Sequence, residues 1–179
     1  MARMNKAPAL SVMIPCLNEA ARLPLLLADL RRSELSLEIL LADGGSSDAT
    51  AQIAGLVGAH LIGVHPAGRG RQLRAAAARA RGDWLLFLHA DSRLSQQWSA
   101  WLNTLLQRSS TEASAWYFDL RISPSTPARQ LLERAVGLRS RWLQRPYGDQ
   151  GLLLHRDLYE RCGGFAELPL MEDLELVQR

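Results

Sequence analysis

Three short segments hold the side chains best equipped for chemistry, and each is built around carboxylates. Asp43-Gly-Gly-Ser-Ser-Asp48 mixes acids, hydroxyls and glycines. Its glycines permit close backbone approach, and Asp43 can accept hydrogen bonds from a nucleobase imide or a ribose hydroxyl. The competing reading is an ordinary strand-to-helix turn with an Asp or Ser cap. His89-Ala90-Asp91 ends an apolar run. An acid at that place suits a hard divalent cation shared with substrate phosphates, or it is simply a cap, and His89 alone reads as structural. Glu172-Asp173 follows Leu168-Pro-Leu-Met171 and opens a short helix to Gln178, where the helix dipole favours acids in any case.

The elements that must position these groups alternate in type. Leu10–Ile14, Leu37–Ala42, His60–Val64 and Trp84–Leu88 are short apolar runs that read as buried strands. Between them lie helical stretches: Asn18 as cap to Leu30 (or a start only at Pro24), Ala49–Val57, and the Ala- and Arg-rich Gly68–Arg81. Repeated strand–helix alternation predicts an α/β fold with a mostly parallel sheet and helices on both faces. Ligands of such sheets sit beyond the carboxyl ends of the strands, where Asn18, Asp43 and Asp91 all fall. The second half is less regular. It reads as a helix over Gln96–Gln107, a Ser/Thr-rich loop, a strand over Ala115–Ile122, an amphipathic helix over Ala128–Leu143, and loop and strand pieces from Tyr147 to Leu154.

At 179 residues, 47% apolar and 22% charged, the chain suits one globular domain rather than disorder or a fibrous repeat. A net charge of +3 gives no case for a nucleic-acid partner, and Lys6 is the only lysine among 21 basic residues. Cys16 and Cys162 are too far apart for a metal pattern or a disulfide framework, so a reduced, cytoplasmic setting is expected. The apolar runs fall far short of a membrane span, and no signal-peptide core is visible.

Taken in order, the segments resemble family 2 glycosyltransferases. Ile14-Pro15-Cys16-Leu17-Asn18-Glu19 is similar to the opening P-x-x-N-E, and Asp43–Thr50 to the D-D-G-S-x-D-x-T segment. Arg81–Asp91 is similar to the segment that ends in D-x-D, and Gly163-Gly164-Phe165 with Glu172-Asp173 to the closing G-G-F and E-D pair. The likeness runs from about Leu10 to Val177. More narrowly, Gly68–Arg74, His-Ala-Asp and Tyr147-Gly-Asp-Gln-Gly151 are similar to a bacterial subgroup whose genes lie beside radical-SAM and arsenosugar or selenium-related genes.

The resemblance implies a GT-A fold, with a nucleotide-sugar half over about 10–92 and an acceptor half over about 93–179. It implies inverting transfer of a sugar from a nucleoside-diphosphate donor, expected to be UDP-linked, to an acceptor hydroxyl. Pro15, Asn18, Glu19, Asp43, Arg71 (with Arg69 as understudy) and His89 would bind the nucleotide sugar. Asp91 would hold Mn²⁺ or Mg²⁺, Asp173 would be the general base, and Asp149, Gln150 and Glu172 would meet the acceptor. Two departures stand out: Gly44 replaces the second acid of D-D-G-S, and His89 replaces the first acid of D-x-D. Family members also continue beyond the E-D helix, so the acceptor half is expected to lack its C-terminal end. A sugar nucleotidyltransferase and a catalytically silent nucleotide-binding module are the alternatives. For the Ala128–Leu143 helix, packing on the sheet competes with a membrane-surface contact and a homodimer contact, since arginines interleave with Leu131, Leu132, Val136 and Trp142.

Overall fold

A computed structural model describes residues 8–108, 112–143, 148–168 and 171–179. Tyr147 and Arg145, together with parts of the Ser/Thr-rich loop and of the Leu168–Met171 turn, lie outside the described residues. The order is β1 (Leu10–Cys16), α1 (Leu23–Arg31), β2 (Leu37–Asp43), α2 (Thr50–Leu56), β3 (His60–Gly63), α3 (Arg69–Ala77), β4 (Trp84–Phe87), α4 (Trp98–Leu106), α5 (Pro127–Leu143), a 3₁₀ turn (Gly148–Gln150), β5 (Leu152–His155), α6 (Arg156–Arg161) and α7 (Glu172–Val177). The strands form one sheet in the order β3-β2-β1-β4-β5. The first four are parallel, and β5 runs antiparallel to β4.

Both faces of the sheet are covered, which is why its strands are almost continuously apolar. Val12, Ile14, Leu41 and Leu86 face α1 and α4 through Leu23, Leu27, Trp98 and Leu102. Met13, Leu40, Leu85 and Phe87 face the other layer through Leu73, Ala76, Tyr159, Phe165 and Leu176. Leu23, Leu26, Leu27 and Leu30 recur at the spacing of one helical face and are all buried.

Asn18 does not cap α1. Its backbone is left-handed, with φ 57°, and its side-chain oxygen accepts the Ser47 N–H at 2.8 Å, so the carboxamide is already committed. The helix begins at Leu23, with Pro24 in its first turn, where a missing N–H costs nothing. The helix read over Gly68–Arg81 is shorter at its end, because the Arg81 N–H and guanidinium both turn to the buried Glu38, at 2.5 and 2.8 Å.

Ala115–Ile122 does not form the expected strand. Only Trp116 pairs, exchanging two backbone bonds with Leu153 on the outer side of β5. Two residues on, the Phe118 N–H bonds the Gln150 carbonyl, so the segment leaves the sheet to follow the 3₁₀ turn.

Candidate functional site

The crevice opens where β1 and β4 part. Their last paired residues are Met13 and Phe87, while β1 continues to Cys16 beside β2. Strand order reverses direction here, since the chain builds outward from β1 to β3 before crossing to β4, and such switch points are where open α/β sheets bind ligands. Pro15 is half-buried just beyond that parting.

Two loops lace together on the β1–β2 side. The Asn18 N–H donates to Ser46 Oγ, the Glu19 N–H to Thr50 Oγ1, and the Ala20 N–H to Asp48 Oδ2, at 2.8, 2.9 and 3.0 Å. Asp43 accepts from the Gly45 and Ser46 N–H groups at 3.2 and 3.0 Å and from the Ser46 hydroxyl. The Thr50 hydroxyl, backed by N–H groups, holds the Asp48 carboxyl below the usual carboxylate range. Gln72 reaches from α3 to bond the Cys16 and Ala42 carbonyls at 2.8 and 2.7 Å. The result is a rigid rim with half-buried Asp43 at its inner end.

This packing explains the missing second acid. A Cβ at position 44 would lie 2.9 Å from Ala67 Cβ, so no side chain fits there without moving the loop before α3. Cys16 is no nucleophile: burial, then the charges of Asp43, Glu19 and Asp48, push its thiol up to about 12.

A second cluster lies across the crevice. Arg69, at the start of α3, donates to Glu172 Oε1 through Nε, stands 3.6 Å from Asp173 Oδ1, and lies 3.3 Å from His89 Nε2. Arginine only donates, so Nε2 is the acceptor and the ring proton belongs on Nδ1. Burial, reinforced by the Arg69 cation, lowers the pKa of His89, although Asp91, Asp173 and Asp149 act in the other direction. The imidazole is therefore neutral at pH 7. The Gly148 N–H donates to Asp173 Oδ2, which fixes that carboxylate against the 3₁₀ turn. Glu172 Oε2 and Asp173 Oδ1 are buried and have no hydrogen-bond partner among the described residues.

α7 reaches this place by a turn that requires glycine. Gly163 and Gly164 adopt φ 77° and 69°, conformations L side chains rarely take. Phe165 then seats edge-on against Phe87, with ring centroids 4.8 Å apart.

The structure thus brings His89, Glu172 and Asp173 together, and places Asp91 exposed at the end of β4. Asn18 is exposed and half-buried Glu19 pairs with Arg22 at 3.3 Å, both on the rim with Asp43. Arg69, rather than Arg71, is the guanidinium within the cluster; Arg71 pairs with Glu167 and the Pro66 carbonyl, both at 3.0 Å. Asp149 is exposed, whereas Gln150 is buried, its carboxamide bonding the Ser140 hydroxyl and the Phe118 carbonyl. Sequence reasoning gave Gly148 no role of its own, although it lies within the Tyr147–Gly151 segment. Nothing about an isolated glycine announces that its N–H will meet an acid 25 positions away.

Comparison with known proteins gives the family and the fold. The family model described as "Glycosyl transferase family 2" covers residues 11–166. A PGL/p-HBAD biosynthesis glycosyltransferase of Mycobacterium bovis is 42% identical over 101 residues, which takes in 49% of this chain and 37% of that protein. A 4,4'-diaponeurosporenoate glycosyltransferase of Staphylococcus haemolyticus is 32% identical over 96 residues, covering 50% of this chain and 26% of that protein. The chain therefore spans well under half the length of these curated relatives. Among solved structures, S. aureus TarS 1–349 superposes with a TM-score of 0.77 at 17% identity, over 94% of this chain and 53% of that one. The mannosyltransferase PcManGT from Pyrobaculum calidifontis, in complex with GDP-Man and Mn²⁺, gives 0.73 at 20% identity, over 96% and 51%. At such identities the likeness establishes the fold, which is GT-A.

Proposed function

The chain belongs to glycosyl transferase family 2, and from that premise we propose that its site transfers a sugar from a nucleoside-diphosphate donor to an acceptor hydroxyl. The donor is a UDP-sugar and the transfer inverts the anomeric centre. One observation supports this reading above the others: a buried carboxylate oxygen, Asp173 Oδ1, lacks a hydrogen-bond partner among the described residues at the mouth of the β1–β4 crevice. A buried acceptor without a hydrogen bond is costly even beside a cation, and an incoming hydroxyl would supply that bond.

In this reading Asp43 and the laced rim receive the base and ribose. Arg69 pairs with Glu172 and Asp173 beside the path assigned to the diphosphate. The acceptor oxygen attacks the anomeric carbon as its proton moves to Asp173 Oδ1, and the bond from that carbon to the diphosphate oxygen breaks. The Gly148 N–H holds the other oxygen of Asp173, so the base keeps its aim during the transfer. Neutral His89 meets the sugar without adding charge beside the developing oxocarbenium character.

A divalent metal fits these residues in one way only. No three His, Cys, Asp or Glu side chains gather into a cage among the described residues. His89 Nε2 is already taken by Arg69. Exposed Asp91 remains as a single anchor, which would hold Mn²⁺ or Mg²⁺ only in company with oxygens of the donor. Such an ion would neutralise charge on the leaving group as a Lewis acid.

Thermal unfolding with UDP and Mn²⁺, followed by UDP release from a panel of UDP-sugars, tests the proposal. Ligand at 100 times its Kd adds about 2.7 kcal/mol, or roughly 5–11 °C for a chain of this size. No shift with any nucleoside diphosphate would refute the donor site. A shift with no turnover on any donor would refute the transferase reading and leave a binding module.

A further inference from the structure

The outward face of α5 presents a feature that the crevice does not use. Leu131, Leu138 and Trp142 stand seven and eleven residues along one helix, which puts them within about 40° of one another. They are 69%, 58% and 80% exposed, and Leu132 beside them is 52% exposed. The inward face is different: Val136 and Ser140 are buried, and Ser140 Oγ donates to Gln150 Oε1 at 2.8 Å. The helix is thus fastened to the turn that carries Gly148 by one side and leaves a tryptophan-tipped apolar ridge on the other.

Charge decides what that ridge meets. Exposed Arg134 and Arg141 flank it, each three residues after a ridge leucine. The one acid of the helix, Glu133, is already held: it accepts the Ile122 N–H at 2.7 Å and pairs with Arg121. Asp119 pairs with Arg141 at 3.0 Å at the foot of the same side. A groove of about 400 Å³ there holds the Arg121–Glu133 and Arg141–Asp119 pairs beside Arg134, Leu138 and Trp142, which leaves one arginine in excess. A second copy of the chain packed symmetrically on this face would set the same cations against each other, which disfavours self-association. A single convex ridge, cationic on its flank with tryptophan at its end, matches the interfacial region of an anionic bilayer.

We propose that α5 is a membrane-docking helix: Leu131, Leu138 and Trp142 enter the headgroup–acyl boundary while Arg134 and its neighbours engage anionic headgroups. This surface stands independently of the reaction proposed above.

Co-sedimentation of the whole chain with phosphatidylcholine vesicles, with and without phosphatidylglycerol, tests it, with tryptophan emission as the second readout. Binding is expected only with phosphatidylglycerol, to weaken as salt is raised, and to shift the emission to the blue. The pair Leu138→Ser and Trp142→Ser should weaken partitioning at least tenfold. Arg134→Gln should weaken it about fivefold. All three positions are exposed, so the melting temperature of each variant should match the parent and show that the fold is intact. Three results would overturn the proposal: no partitioning to anionic vesicles, partitioning untouched by the Leu138/Trp142 pair, or a dimer in solution that this pair disperses, which would give the face to a second copy.

Discussion

Gly148→Ala is the sharpest test of the geometry around Asp173. The glycine lies in a 3₁₀ turn and its φ is not in the left-handed region, so alanine suits the backbone. The added methyl does not suit its surroundings. A Cβ there would stand 2.6 Å from Asp173 Oδ2 and 2.8 Å from His89 Nε2, whereas ordinary contact begins near 3.4 Å. The carboxylate must therefore retreat by about 0.8 Å, and its bond from the Gly148 N–H is disturbed with it. A misplacement of about 1 Å at a reacting group can cost roughly 10²-fold in rate. Asp43 and the laced rim lie on the other side of the crevice, so UDP affinity should stay within about twofold of the parent, well under 1.4 kcal/mol. The assay is single-turnover transfer, or donor hydrolysis, at saturating donor, beside calorimetric UDP binding on the same protein. Near-parental turnover in Gly148→Ala would show that Asp173 is not the aimed group. Equal losses in turnover and UDP binding would place the turn in the nucleotide site instead.

Four other outcomes follow from the same site. Asp173→Asn should lower transfer about 10²–10⁴-fold while leaving UDP affinity nearly unchanged, and unchanged single-turnover rates would move the base elsewhere, with Asp149 next in line. Asp91→Asn should abolish the Mn²⁺-dependent part of UDP binding, measured by calorimetry with and without chelator, and His89→Ala should cost less; the reverse order would exchange their roles. UDP should outbind CDP about tenfold or more, because Asp43 needs an imide N–H that cytosine lacks, and equal Kd values would remove Asp43 from base recognition. Burial and Arg69 hold His89 below its ordinary range, so the unfolded chain takes up its proton first as pH falls below about 6.5 and stability drops there. His89→Gln should therefore lose less melting temperature than the parent over that interval, and parallel curves would contradict the assignment.

The parallel half of the fold was legible because its strands are buried on both faces and its helices carry strong internal signals. β1, β2 and β4 could be read within a residue or two from runs such as Leu37–Ala42. Boundaries failed where a side chain was drawn into tertiary contacts: Asn18 is spent on Ser47, and Arg81 on Glu38. The strand expected over Ala115–Ile122 failed for a related reason. Its alternation is real, but β5 offers it only one residue of pairing before the chain must follow the Gln150 turn. The acids of the site could be picked out by type and spacing, yet their mutual arrangement could not. Arg69 and Arg71 are equivalent in sequence, and only the approach of α7 makes Arg69 the partner of Glu172 and Asp173. The glycine at position 44 read as a lost acid until Ala67 was seen to occupy the space a side chain needs.

The charge around His89 argues for what must accompany a donor. Glu172 and Asp173 contact Arg69 directly, and Asp91 and Asp149 lie close enough to act on the His89 imidazole. Four carboxylates thus face one guanidinium and a neutral ring, an excess of three negative charges before any diphosphate arrives. Arg71 offers no relief, since Glu167 already takes its charge at the rim. Two more phosphates in a half-buried crevice would meet repulsion worth several kcal/mol at an effective dielectric of about 20. A diphosphate therefore calls for a countercharge of its own, and in the function proposed above exposed Asp91, beyond the end of β4, would hold the dication that supplies it. His89 in the place of an acid belongs to the same balance: a fifth carboxylate there would add to the excess of negative charge, whereas the imidazole adds none and accepts from Arg69.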